Sequence, residues 1–281
     1  MQDEPSTRVP RAHRRSRTTS SFDVYGTLID WETGMLGTLQ TLTSQLPDTH
    51  PYNTAPPTAA LARLNELTMD LERTRPSTPY NEVLTSSLTR LAAELGLPLP
   101  DSVAEPFGNS PGTWNPFPDT LAGLRKLARH YKLIVLSNVD NANIRATTAK
   151  LAGDGDGDGG SGGGARFDAV YTAQDIGSYK PSRANFEYLF ARARADLGID
   201  RDRGELLHVA RSLLADHLTA AELGLRSVWI SRGGDKEGHY GVGGDYAKLK
   251  DRVAFEWRFD TIGDFADEVE RQFAAKEKEK S

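Results

Sequence analysis

At 281 residues the chain is long enough for one large domain or two modest ones, with room for a sizeable core. Apolar residues make up 38% and charged residues 26%, as in ordinary globular proteins, and a net charge of −5 without a concentrated basic face argues against a nucleic-acid partner. With no cysteine there is no disulfide, thiolate nucleophile or cysteine-ligated zinc, and no apolar run approaches the ~20 residues of a membrane helix.

In chain order, residues 1–17 read as a disordered basic tail, with Arg11, Arg14, Arg15 and Arg17 close together and no apolar stretch of a secretory signal. Asp3 and Glu4 oppose a mitochondrial presequence, so the expected location is cytoplasmic. A strand ending at Ser21-Phe22 follows. A strand in a parallel sheet is buried on both faces and is normally apolar, yet this one reads Arg17-Thr18-Thr19-Ser20-Ser21-Phe22. Either it is unusually polar or the encoded amino terminus is not the natural one.

From residue 34 to 111 no strand is expected. Leu84, Leu88, Leu91, Ala92 and Leu95 recur at helical spacing, and Leu61, Leu64, Leu67 and Leu71 do so less tightly, with breaks at Pro56-Pro57 and Pro98–Pro100. This stretch reads as a helical cap inserted after the first strand. Beyond it, Leu133–Leu136, Ala169–Tyr171, Leu206–Ala210 and Ser227–Ile230 are strand-like. Between them lie helical faces such as Leu121, Leu124, Leu127 and Tyr131, or Phe186, Leu189, Phe190, Ala193 and Leu197. Strands alternating with helices imply a parallel sheet covered on both sides. The expected fold is therefore α/β, a Rossmann-like parallel-sheet core (residues 18–33 and 112–272) with an inserted helical cap (34–111). A cap there would cover the crevice at the carboxyl ends of the strands.

Residues 153–164, rich in glycine and aspartate, imitate the opening of a calcium loop at Asp154, Asp156, Asp158 and Gly159. The twelfth position, where a bidentate glutamate should close the cage, is Ala165, so the run reads as a flexible insertion within the core.

The chemistry gathers at strand ends. Asp23 follows the first strand in Phe22-Asp23-Val24-Tyr25-Gly26-Thr27-Leu28, and Ser137-Asn138 follows the second. Lys180, in Ser178-Tyr179-Lys180-Pro181, could reach across to Asp23, and His208-Val209-Ala210-Arg211-Ser212 leads to Asp216. His217 is expected to point away on a helix start, and His208 to be packed in its strand.

An acid, a Ser/Asn pair, a lysine and a second acid in this order resemble the haloacid dehalogenase superfamily, from Phe22 to about Phe265. Phosphatases of that superfamily place a second aspartate two residues after the nucleophile and an acidic pair in the last motif. Here those positions are Tyr25 and Arg211, which suit a singly charged carboxylate substrate better than magnesium and a phosphoester. The Asp-Val-Tyr-Gly-Thr signature, with the run Thr172–Pro181, is similar to type II 2-haloacid dehalogenases.

The resemblance implies a metal-independent hydrolase, without a cofactor, that turns 2-halo carboxylic acids into 2-hydroxy acids through an aspartyl ester. It makes Asp23 the nucleophile, Lys180 the cation that keeps it ionised, and Asp216 the group that orients Lys180 or activates water. Thr27 would fix the carboxylate, Ser137 would hold the substrate carboxylate, and Asn138 would face the departing halide. Tyr25 and Arg211 complete the expected substrate-binding set. The implied partner is a small carboxylate, with no nucleic acid or membrane, and a homodimer stays open.

The chain departs from the family in two further places. None of the cap arginines Arg63, Arg73, Arg75 and Arg90 aligns with the family's halide-binding arginine, and Arg211 and Leu213 stand where that kind has Ser and Asn. The alternatives are a magnesium-dependent phosphatase of the same fold and a non-catalytic binding protein that kept it.

Overall fold

The computed structural model describes residues 19–53, 58–153, 163–233 and 243–278. Among these, six strands form one parallel sheet: β1 (Thr19–Phe22), β2 (Lys132–Ser137), β3 (Ala169–Thr172), β4 (Leu206–Ala210), β5 (Ser227–Ile230) and β6 (Trp257–Phe259). Their order is β3-β2-β1-β4-β5-β6, a Rossmann-like arrangement. The strand order reverses at β1, which pairs with both β2 and β4, so the crevice at this switch point opens beside Asp23.

Four helices follow β1 before the chain returns to the core: α1 (Trp31–Thr43), α2 (Thr58–Thr74), α3 (Tyr80–Glu94) and α4 (Asp101–Gly108). The apolar positions expected to share faces are buried, including Leu61, Leu64 and Leu71 of α2 and Leu84, Leu88 and Leu91 of α3. Helix α1 begins at Trp31, ahead of the expected 34, because Asp30 caps it: its carboxylate accepts from the Thr33 amide at 3.2 Å and the Thr33 hydroxyl at 2.7 Å. Pro98 and Pro100 fall between α3 and α4, whereas Pro56 and Pro57 lie outside the described residues.

The remaining helices alternate with the strands: α5 (Thr120–Ala128), α6 (Asn141–Ala152), α7 (Ala173–Ile176), α8 (Arg183–Leu197), α9 (Leu218–Glu222), α10 (Tyr246–Leu249) and α11 (Ile262–Lys278). β2 to β5 fall on the apolar runs read from the sequence. β6 was not anticipated, because it has three residues with the half-exposed Arg258 at its centre, too short for a period. The basic tail and the calcium-like residues Asp154, Asp156, Asp158 and Gly159 lie outside the described residues. The ends of that glycine run meet: a Cβ on Gly153 would fall 2.4 Å from Gly163 Cα.

β1 is indeed polar, and all four of its residues are buried. Ser21 Oγ lies 2.9 Å from His208 Nδ1 on the neighbouring β4, so the polar strand supplies a hydrogen-bond partner to a buried imidazole. The hydroxyls of Thr19 and Ser20 are buried without a partner.

Candidate active site

Immediately after β1 the backbone folds into a tight turn. The Val24 carbonyl accepts from the amides of Thr27, Leu28 and Ile29 at 3.2, 2.7 and 3.0 Å. Gly26 has φ +90°, a conformation that disfavours a side chain, and a Cβ there would press on the Trp31 ring at 3.0 Å. The turn brings Thr27 back over Asp23, where its hydroxyl donates to Asp23 Oδ2 at 2.8 Å. The same hydroxyl oxygen accepts from the Arg211 amide at 2.9 Å, tying β1's loop to the loop after β4.

Asp23 Oδ1 accepts from Lys180 Nζ at 2.9 Å. The ammonium also donates to Asp216 Oδ1 at 2.7 Å and to the Leu136 carbonyl at 3.0 Å, which uses its three protons. Asp23, Lys180 and Asp216 are all buried. Burial raises the Asp23 carboxyl above its ordinary value, with Lys180 opposing and Asp216 adding to the rise. For Asp216 burial is outweighed by Lys180 and His208, which hold its carboxyl well below the usual range. Lys180 is raised, its desolvation overcome by the two carboxylates.

A second layer holds this triad. His208 Nε2 lies 2.9 Å from Asp216 Oδ1. With a neutral imidazole, Nε2–H donates to Asp216 and the Ser21 hydroxyl donates to Nδ1. The sequence reading treated His208 as packing, and the missed signal was the pair of serines in β1. His217 does point away: its ring bonds the Ser227 hydroxyl at 3.0 Å and the Ala210 carbonyl at 2.9 Å, and burial pushes it down to about 4. Arg232 was also missed. Its guanidinium donates to the Thr27 carbonyl at 2.8 Å, pairs with Asp119 at 2.6 Å and stacks 4.0 Å over Phe117.

The remaining expected residues line the same cavity, of about 700 Å³, but differ in what they offer it. The Ser137 hydroxyl is buried there without a partner. Asn138, expected to face a halide, lines the cavity and brackets the Lys180 backbone: its oxygen accepts from the Lys180 amide at 2.7 Å and its Nδ2 donates to the Lys180 carbonyl at 2.9 Å. The Tyr25 hydroxyl meets Thr147 Oγ1 at 2.9 Å, and burial raises its phenol. Arg211 turns its guanidinium to Glu32 at 2.8 Å, a partner not foreseen. Of the four cap arginines, Arg63 pairs with Glu66 and Glu94, and Arg90 pairs with Asp70. Arg73 lines the cavity, exposed and paired to Asp70. Glu72, from the same helix, also lines it without a hydrogen bond, and burial pushes its carboxyl up to about 8 against the pull of Lys180.

No family model matches the chain, and no curated protein matches it. Solved structures do. The L-2-haloacid dehalogenase PA0810 is 25% identical, with a TM-score of 0.64 over 92% of this chain and 100% of its own. The L-2-haloacid dehalogenase from Xanthobacter autotrophicus with chloropropionic acid covalently bound is 19% identical, with a TM-score of 0.65 over 90% and 98%. The HAD-hydrolase YfnB from Bacillus subtilis, bound to magnesium, is 16% identical, with a TM-score of 0.62 over 89% and 97%.

Magnesium requires a near-octahedral set of oxygen ligands, and the donor set here does not fit it. The Lys180 ammonium bridges Asp23 and Asp216, the Tyr25 hydroxyl is engaged by Thr147, and a guanidinium stands at Arg211. Among the described residues no three His, Asp or Glu side chains cluster as a metal site. In strand order and in its structural neighbours, the chain has the fold of the L-2-haloacid dehalogenases of the haloacid dehalogenase superfamily.

Proposed function

We propose that this chain is a hydrolytic dehalogenase of 2-halo carboxylic acids, working through an ester on Asp23. The observation that carries the reading is the Lys180 ammonium bridging Asp23 and Asp216 beside a cavity. The cation opposes the burial that raises the Asp23 carboxyl, favouring its ionised form. Thr27 on one oxygen and Lys180 on the other fix its plane.

An Asp23 oxygen attacks C2 of the substrate, forming a C–O bond as the C–halogen bond breaks and halide departs. Water then attacks the acyl carbon of the ester. The acyl–oxygen bond to the substrate breaks, giving the 2-hydroxy acid, and Asp23 is restored with one oxygen from water and release of a proton. Asp216, held low in pKa, is a weak base and serves to orient Lys180, while its second oxygen, buried without a partner, can accept from the incoming water. The free Ser137 hydroxyl is the donor for the substrate carboxylate. Arg211 contributes the N–H groups that Glu32 leaves unused.

The test is single turnover in heavy-oxygen water with enzyme in excess. The label should enter the Asp23 side chain and leave the first product unlabelled, and Asp23→Asn should remain folded without turnover. Label appearing directly in the product would make Asp23 a general base and overturn the mechanism.

A further inference from the structure

The cavity has more room and more apolar surface than a three-carbon acid would cover. At about 700 Å³ it lies in the range, roughly 300–1,000 Å³, that buries a drug-sized ligand. Its two ends differ. The charged groups Asp23, Lys180 and Asp216 stand at the sheet edge. Two helices supply part of the walls. Trp31 and Met35, one turn apart on α1, are buried there, and Met69 and Glu72 present one stripe of α2 to the same space.

Met69 is the exposed large hydrophobic side chain among the described residues, 43% accessible, and it lines this cavity. An isolated exposed methionine is unremarkable, but one that lines the same cavity as the buried Met35 and Trp31 adds to its apolar surface. Methionine is unbranched and polarizable, and it adapts to ligands of varied shape. The neighbouring Glu72 is half-buried and accepts no hydrogen bond, and desolvation raises its carboxyl to about 8, which disfavours charge on this wall.

We propose, building on the dehalogenase reading, that the substrate is a 2-halo acid with a long or bulky apolar body. Its carboxylate and C2 sit at Ser137 and Asp23, and its chain lies along Trp31, Met35 and Met69. Such a ligand matches a cavity with one charged end and a predominantly apolar wall, whereas a short acid leaves most of that wall uncovered.

The experiment has two arms on the full chain. In the first, halide release is followed for 2-bromopropionate, 2-bromohexanoate and 2-bromooctanoate. Each buried methylene contributes about 0.8 kcal/mol, or roughly fourfold, so kcat/KM should rise at least about tenfold from the three-carbon to the six-carbon acid. Met69→Asp should lower the ratio of kcat/KM for the eight-carbon over the three-carbon substrate. In the second arm, calorimetry compares the product-like acids lactate and 2-hydroxyoctanoate, with the longer acid expected to bind at least about tenfold tighter. This arm needs no chemistry, so it keeps the cavity assignment testable should no halide be released, an outcome that would sink the dehalogenase reading alone. Equal or weaker binding of 2-hydroxyoctanoate, or kcat/KM flat or falling with chain length, would overturn the chain-length proposal.

Discussion

Replacing Lys180 by methionine keeps the length of the side chain and removes the cation that hydrogen-bonds Asp23 at 2.9 Å and Asp216 at 2.7 Å. Both carboxylates are buried, so neither gains compensating solvation. Breaking a buried ion pair by deleting one partner costs about 3–5 kcal/mol, because a charge is left uncompensated. The pH window follows from the direction of each shift. Asp216 is depressed below its ordinary 3.8, so its stabilising contribution is present above that value and is lost in acid. Lys180 is raised above 10.5, so its contribution is complete below 10.5 and is lost only as pH rises through its higher folded value. Asp23 is raised even with the lysine present, so without it the carboxyl protonates more readily. The stability gap between wild type and Lys180→Met should therefore be wide at pH 7 and narrow below pH 4. Urea unfolding by tryptophan fluorescence at pH 7 and pH 3.5 measures this. Halide release at pH 7 should fall at least about a hundredfold through loss of nucleophile charge and placement. Lys180→Arg should not restore it, because a planar guanidinium does not reproduce a compact ammonium with three donors in a closed site. A methionine variant as stable as wild type at pH 7, or one that retains turnover, would refute the argument that Lys180 compensates both acids.

Glu72 supplies a prediction of the opposite sign. Its carboxyl is raised to about 8, so its protonated form favours the fold, and that contribution declines as pH rises from 4.5 to about 8. Glu72→Gln should match wild type in Tm near pH 4.5 and exceed it at pH 9. The KM of an anionic halo acid should rise above about pH 8 in wild type and stay flat in the variant. Lys180, Tyr25, Tyr80, Tyr179 and the ion-paired Arg73 share the cavity with it, and a pH dependence that persists in Glu72→Gln would assign it to one of these instead. His208→Leu should destabilise the chain by about 1–3 kcal/mol, since it leaves the buried Ser21 hydroxyl and an Asp216 oxygen each short of a partner; equal denaturation midpoints would count against the relay. Halide release should be unchanged by chelator and unstimulated by magnesium, because Lys180 occupies the bridging position between the two acids. Loss with chelator and recovery with magnesium would overturn this.

Most strands of the core were legible because their signals are local. Leu133–Leu136, Leu206–Ala210 and Ser227–Ile230 are apolar runs of strand length, and the residues after them stand at the edge of a parallel sheet by its geometry alone. Asp23, Ser137, Lys180 and Asp216 could therefore be named from spacing and resemblance. What surrounds them depended on contacts between distant positions, which no period encodes. β1 looked too polar for a central strand because the partner of Ser21, His208, lies 187 positions away. Glu32 is an ordinary first-turn acid of a helix until β4's loop brings Arg211 to it. Asn138 carries the amide expected for a ligand, yet the path of the chain at Lys180 engages both ends of it. Glu72 reads as a charge on an amphipathic helix, and only the tertiary fold makes it part of the cavity lining. Local periodicity set the strands and helices, and long-range packing decided which polar groups were consumed by the fold and which were left to meet a substrate.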